Sequence, residues 1–258
     1  MSYTLWLEYW RSIFSLVSLS VGAIQDVRSR EIDDHVWLVL LLAALALNTL
    51  GVFAGSVEPV GWLILAGLQS LLFLLLYYAG VYGGADAKSL ICLSLMYPSS
   101  LQALLTDLST GKLPVPFSTF NNAIMLTILY LPVNLFWNLS VRVKGVELFK
   151  DLEKENALRR IAALLLLRKV RFSNYRSNSV RFLLAEKRSR SGVRRIVFSR
   201  KIDGGEGEQS FEEDDYVFTS FLMPFQVFML IGLLIRLLYG DILLLLALVL
   251  VKLALTGF

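Results

Sequence analysis

The chain has 258 residues, 56% of them drawn from Ala, Val, Ile, Leu, Met, Phe, Trp, Tyr and Cys, with a formal net charge of +4. A soluble domain of this length does not need so much apolar side chain, and the excess lies in long blocks, so an all-α polytopic membrane protein is expected. The single cysteine, Cys92, excludes an internal disulfide and a cysteine zinc cluster, and it reads as a buried, inert thiol.

Met1 to Trp10 lacks a basic first region and no small-residue cleavage site follows the first apolar run, so no cleavable signal peptide is expected. Apolar runs then recur at 12–26, 36–55, 60–81, 87–105, 119–140, 221–239 and 242–257. A helix needs about 20 residues to cross the bilayer core. The runs at 36–55, 60–81 and 119–140 meet that length, and the first does so by recruiting Leu5 to Trp10. The run at 87–105 holds Lys88 and Pro98 and is short or bent. The last two, divided only by Gly240-Asp241, form two short spans or one broken helix. Six or seven spans are expected. Arg236, inside an apolar run, is expected to pair with Asp241 or to reach headgroups.

The stretch 141–220 breaks this pattern, holding 18 of the 25 Lys and Arg residues. Three segments are therefore expected: transmembrane helices over 1–140, a cytosolic α+β insert over 141–220, and a closing transmembrane helix or helices over 221–258. Within the insert, Val146 to Leu167 reads as a helix. Phe182-Leu183-Leu184, Ile196-Val197-Phe198 and Tyr216-Val217-Phe218 read as short strands. Positive charge collects on the cytoplasmic side. Arg28, Arg30, Arg142 and Lys144 lie at span ends, whereas the opposite loops, 56–59 and 106–117, carry one Lys between them. That distribution puts the amino terminus outside and Asp26, Asp86 and the insert on the cytoplasmic face. No nucleic-acid motif accompanies the basic stretch, so membrane lipid, anionic lipid above all, is its expected partner and nucleic acid is not.

Two carboxylates stand out. Asp86 sits in Tyr82-Gly83-Gly84-Ala85-Asp86-Ala87-Lys88, a glycine-rich break between apolar runs, and Asp26 ends the first run. An ionisable group at the edge of a bilayer is costly and usually functional. Paired carboxylates that share a proton and activate water can cleave a peptide bond. Each acid also has a plain reading: Asp26 merely ends a helix and Asp86 caps the next one. Asp33 and Asp34 are N-cap candidates for the second span, and His35, the only histidine, reads as an interfacial residue. Lys88 either snorkels to the interface or tunes Asp86. The glycines suggest unusual backbone angles and close approach of an extended peptide.

Asp26-Val27-Arg28-Ser29-Arg30-Glu31-Ile32-Asp33-Asp34 and Gly83-Gly84-Ala85-Asp86-Ala87-Lys88 together resemble the two motifs of the type IV prepilin peptidase group, and more nearly those of the archaeal preflagellin and prepilin peptidases. That family belongs to the Gly-x-Gly-Asp aspartyl proteases, which include presenilin. Here Ala85 stands where the motif has its second Gly, a residue archaeal members accept. The motif match covers the first 90 residues; beyond them only the layout, with Pro224-Phe225 and Gly240-Asp241, is similar. The resemblance implies that Asp26 and Asp86 are the catalytic pair and that Gly83, Gly84 and Ala85 form the turn the substrate lies against. It implies a leader-cleaving aspartic endopeptidase, acting at the cytoplasmic membrane face on preflagellin or prepilin-like substrates with a basic leader. No metal or organic cofactor is implied. Bacterial relatives often add a methyltransferase and a paired-cysteine cluster; with one cysteine, peptidase activity alone is expected here.

Two other classes fit the same acids. A proton- or ion-coupled transporter using Asp26 and Asp86 requires acids near the bilayer midplane and a repeat between halves. A noncatalytic membrane anchor requires the two acids to lie apart. A last feature is an acidic tract, seven acids and no Lys or Arg between Asp203 and Asp215, which either neutralises its own basic module or attracts the substrate's basic leader. Neither the natural substrate nor the oligomeric state is fixed by these features.

Overall fold

The computed structural model describes residues 3–100, 113–152, 155–188, 194–198 and 211–256. Its helices begin with α1 (Tyr3–Arg28), α2 (Asp34–Phe53), α3 (Pro59–Tyr78), α4 (Gly84–Met96), α5 (Val115–Thr127) and α6 (Tyr130–Val143). Next come α7 (Ala157–Leu166), β1 (Arg168–Arg171), α8 (Phe172–Ser177), β2 (Phe182–Leu184), β3 (Glu186–Arg188), β4 (Arg194–Ile196) and β5 (Tyr216–Phe221). The chain closes with α9 (Phe225–Leu238) and α10 (Ile242–Thr256). These elements form two compact units: unit 1 is Met1–Leu126 with Pro224–Phe258, and unit 2 is Thr127–Met223.

Unit 1 is helical, and its helices start where the sequence supplies caps. Asp33 caps α2, its carboxylate accepting the His35 N–H at 3.0 Å. Asp34 instead takes an ion pair from Lys88 Nζ at 2.5 Å, so Lys88 is engaged with Asp34. Glu58 caps α3 by accepting from Val60 and Gly61, with Pro59 in the first turn, where its missing N–H costs nothing.

The packing of α2 and α3 is that of a membrane protein. Leu38, Leu42 and Leu45 of α2 and Leu63, Leu68 and Leu75 of α3 point outward, while Asn48 and Gln69 are buried. Water would penalise so much outward leucine, whereas lipid does not, and polar side chains then serve as contacts between helices. Arg11 donates to Asn48 Oδ1 at 2.6 and 3.1 Å, and Asn48 Nδ2 reaches the Leu95 carbonyl at 2.6 Å. Trp62 Nε1 reaches the same carbonyl at 3.0 Å. These donors satisfy the carboxyl end of α4, which stops at Met96, two residues before Pro98.

Among the described residues, α2, α3 and the stretch Val115–Val143 are long and apolar enough to cross a membrane. The pair α9 and α10, bent by 54°, adds a fourth if it is one broken span. This falls short of the six or seven spans expected. α1 has the length, at 26 residues, but Arg11, four serines, Gln25 and Asp26 interrupt its apolar surface. α4 has only 13 residues. The expected break at Gly240-Asp241 is present. Gly240 has φ +103°, and Asp241 accepts from Leu244 N–H and from Asn121 Nδ2, both at 2.9 Å. Asp241 is therefore held by Asn121, and Arg236 donates to the Leu113 carbonyl at 3.0 Å instead of forming the expected pair.

Unit 2 carries a three-stranded antiparallel sheet in the order β1-β5-β2 and a two-stranded β3-β4 ribbon. β2 coincides with the expected strand, β5 extends the one expected at 216–218, and β4 lies two residues before the one expected at 196–198. The expected helix over 146–167 is only α7. Asn156 caps it by accepting the Arg159 N–H at 2.9 Å, and the chain upstream turns at Gly145 and Asp151, both at positive φ. On α6, Asn134 and Asn138 bind the last carbonyls of α7: Leu165 at 3.0 Å, and Leu164 and Leu167 at 2.9 and 2.8 Å.

The centre of unit 2 is ionic. Lys169 Nζ lies 2.8 Å from Glu186 Oε1, both side chains 2% exposed or less, and the same oxygen accepts the Phe218 N–H at 2.7 Å. Burial holds the Lys169 ammonium below its usual range, although Glu186 opposes this. Arg194 lies 3.9 Å from Glu186 and 2.8 Å from Asp215. Of the acidic tract, Asp203, Glu206 and Glu208 lie outside the described residues. Glu213 and Asp214 pair with Arg176 and Arg171 at 3.1 and 3.3 Å. The described paired acids of the tract thus bind arginines of their own unit, as the self-neutralising reading expects.

Candidate active site

Asp26 and Asp86 lie on different helices of unit 1, and α9 brings them to one residue. Asp26 is in the last turn of α1. Its Oδ2 accepts the backbone N–H of Gln226 at 3.1 Å. That N–H belongs to the first turn of α9, where no intrahelical acceptor exists and the helix end is electropositive. Asp86 is the third residue of α4. Its Oδ1 accepts Gln226 Nε2 at 2.9 Å, and its Oδ2 accepts the Gly83 N–H at 3.1 Å. Asp86 therefore reaches back to cap α4, in place of the N-cap position expected for it, which Gly83 fills.

Arg30 stands over Asp26, its Nη1 3.6 Å from Oδ1. It lies just beyond α1 with φ +62°, a left-handed conformation common after helix ends but costly for a residue other than glycine. Tyr82 fixes the approach to Asp86 from the other side. Its hydroxyl donates to the Phe73 carbonyl at 2.6 Å, and its ring meets Phe120 edge-on at 5.3 Å. Burial, with the charge of Asp86, pushes the Tyr82 hydroxyl up to about 12.

The backbone at Gly83 is ordinary, with φ −81° and ψ 166°, and only Gly80 in this loop has positive φ, at +77°. The unusual angles expected of Gly83 and Gly84 are therefore absent. Space explains the residues better. A Cβ on Gly83 would lie 3.2 Å from Asp86 Oδ2, whereas one on Gly84 would meet the Tyr77 ring at an ordinary 3.6 Å. Ala85 is the second residue of α4 and half-buried. No group of three or more His, Cys, Asp or Glu among the described residues is arranged to hold a metal ion.

Residues 13–134 match the type IV leader peptidase family. That segment of the chain is similar to this family. It contains Asp26 and Asp86, all of α4 and α1 from residue 13 onward. Two relatives are called preflagellin peptidase. The one from Methanococcus voltae is 34% identical over 148 residues, covering 52% of this chain and 60% of the relative. The one from Methanococcus maripaludis (strain C6) is 29% identical over 146 residues, covering 52% of this chain and 59% of the relative. The chain thus spans about three-fifths of the length of these relatives. Gln226 lies outside the segment that matches the leader peptidase family, and sequence reasoning missed it. The signal was present: a lone amide two residues after Pro224, at the head of an apolar run.

Proposed function

We propose that the protein is a membrane aspartic endopeptidase that removes the leader from preflagellin or prepilin-like proteins at the cytoplasmic face. The observation that carries this reading is the convergence of Asp26 and Asp86 on Gln226, in a chain whose residues 13–134 match leader peptidases. One carboxylate takes a proton from water as the water attacks the scissile carbonyl; the other, protonated, donates to the carbonyl oxygen. Two carboxylates in one site titrate as a unit, so activity falls on both sides of an optimum. The wall beside Asp26 suits a substrate with an apolar segment. A groove of about 450 Å³ between α1 and α9 is lined by Ala23, Ile24, Val27, Val227 and Leu230, with Ser20 and Arg28. The cytoplasmic orientation is supported by Arg28, Arg30 and Lys88 at the dyad end.

The test is to incubate membranes containing the protein with a leader-bearing preflagellin and follow the size shift. The expected result is one cleavage at the leader junction, lost in Asp26→Asn and in Asp86→Asn. Ordinary cleavage by either variant would refute the assignment.

A further inference from the structure

Gln226 does something that neither the motif nor the family match assigns. It is fully buried, with 0% exposure, at the first turn of α9. Its main-chain N–H goes to Asp26 on α1, and its side-chain amide goes to Asp86 on α4, with a longer contact to Ser89 Oγ at 3.4 Å. One residue thus donates to both acids. Its own carbonyl, Oε1, is buried without a hydrogen-bond partner among the described residues. A buried amide that leaves half of its capacity unmet is a poor choice for packing, where an apolar side chain of similar volume would lose nothing. Its N–H groups are the part of it that meets the site.

We propose that Gln226 is the positioning residue of the carboxylate pair: its side-chain amide orients Asp86 and favours its ionised form, while its main chain fixes Asp26. The inference rests on the peptidase reading above and adds α9 to a site that the motifs confine to α1 and α4. A donor to a carboxylate stabilises the charged form, so removing it raises the pH at which that carboxyl ionises. Among the described residues, the other titratable groups around Asp86 are Asp26 of α1, Arg30 just beyond it, Tyr82 before α4, Tyr77 from α3, and Asp34 of α2, which is already paired with Lys88. All of them remain when Gln226 is changed, and so does the main-chain N–H to Asp26.

Two substitutions separate positioning from packing. Gln226→Leu keeps volume and removes the donor. The expected result is a kcat lowered about 10- to 100-fold with KM within about twofold, and an acid limb moved up by about one to two pH units. Gln226→Glu supplies a donor only while its new carboxyl is protonated. Its kcat relative to the parent should therefore rise at least about tenfold between pH 8 and pH 5. Unchanged constants in Gln226→Leu, or equal and pH-independent losses in both variants, overturn the proposal. A second readout needs no substrate: the titration of ¹³C-labelled aspartate carboxyls in detergent micelles, parent against Gln226→Leu. An upward shift of the Asp86 midpoint supports the inference and an unmoved midpoint overturns it, even if the parent fails to cleave preflagellin, which would count against the peptidase reading alone.

Discussion

In unit 2, Glu186 is met by Lys169 at 2.8 Å, with Arg194 at 3.9 Å and a second acid, Asp215, closing the network. In unit 1, Asp86 is met by two neutral donors, Gly83 N–H and Gln226 Nε2, and Asp26 by one such donor with Arg30 at a looser 3.6 Å. The difference is chemical. A carboxylate locked to a buried ammonium is committed to its charge, since losing either partner strands the other in a low dielectric. A carboxylate held by amides keeps its orientation and can still gain and lose a proton. The first arrangement builds a fold, and the second leaves groups available for acid–base chemistry.

The largest expected effect breaks the comparison at its functional side. Asp26→Asn or Asp86→Asn should lower leader cleavage to background, at least about a thousandfold, while the detergent-solubilised protein melts within a few degrees of the parent. In unit 2 the balance should be reversed. Glu186→Gln keeps an acceptor for the Phe218 N–H but leaves the buried Lys169 without its carboxylate, while Arg194 keeps Asp215. Unfolding by denaturant should show a loss of about 3–5 kcal/mol, with the molecules that remain folded still cleaving.

Smaller effects sharpen the boundary of the site. A Cβ on Gly232 would sit 2.5 Å from the Thr119 carbonyl and 3.0 Å from the Ala123 nitrogen, so α9 approaches α5 there only because glycine allows it. Gly232→Ala should cost roughly 1–3 kcal/mol in a thermal melt, by forcing α9 away from α5. Gly83→Ala should lower kcat by crowding Asp86 Oδ2, whereas Gly84→Ala, in ordinary contact with Tyr77, should have normal kinetics. Equal kinetics in these two variants would show that the turn is only a connector. The smallest effect belongs to the acidic tract. Glu213→Gln with Asp214→Asn removes exposed pairs to Arg176 and Arg171, worth roughly 0–1 kcal/mol each. KM for a basic leader should not change at low salt; a rise would restore the leader-attracting role.

Much of this was legible in the sequence because it is local. The cap at Asp33, the break at Gly240-Asp241 and strand β2 each depend on a few neighbouring residues whose backbone needs are known. Asp26 and Asp86 stood out as candidates because an ionisable group at a bilayer edge is costly and because the two stretches around them resemble a pair of motifs, although each also had a plain reading as a helix-end residue. The six or seven spans stay an expectation: among the described residues three helices, or four with the bent pair as one span, are long and apolar enough to cross, and α4 ends at Met96. Pro98 follows that end, and the Leu95 carbonyl exposed there is satisfied by Asn48 and Trp62, residues 47 and 33 positions away. The helix expected over 146–167 failed for a local reason, since a good composition there yielded to turns at Gly145 and Asp151.

By itself the sequence determined the apolar, membrane-type composition, the two candidate acids and the basic character of unit 2, since these follow from residue type and spacing along the chain. Only the tertiary structure decided which cation serves which acid. Lys88 went to Asp34, Arg30 to Asp26, and Asp241 to Asn121 in place of Arg236. It also decided that Gln226, 200 positions from Asp26 and 140 from Asp86, joins them. Such choices rest on distances of a few ångströms between helices far apart in the chain. Charge and hydropathy patterns report what a residue needs, and packing alone selects the neighbour that supplies it.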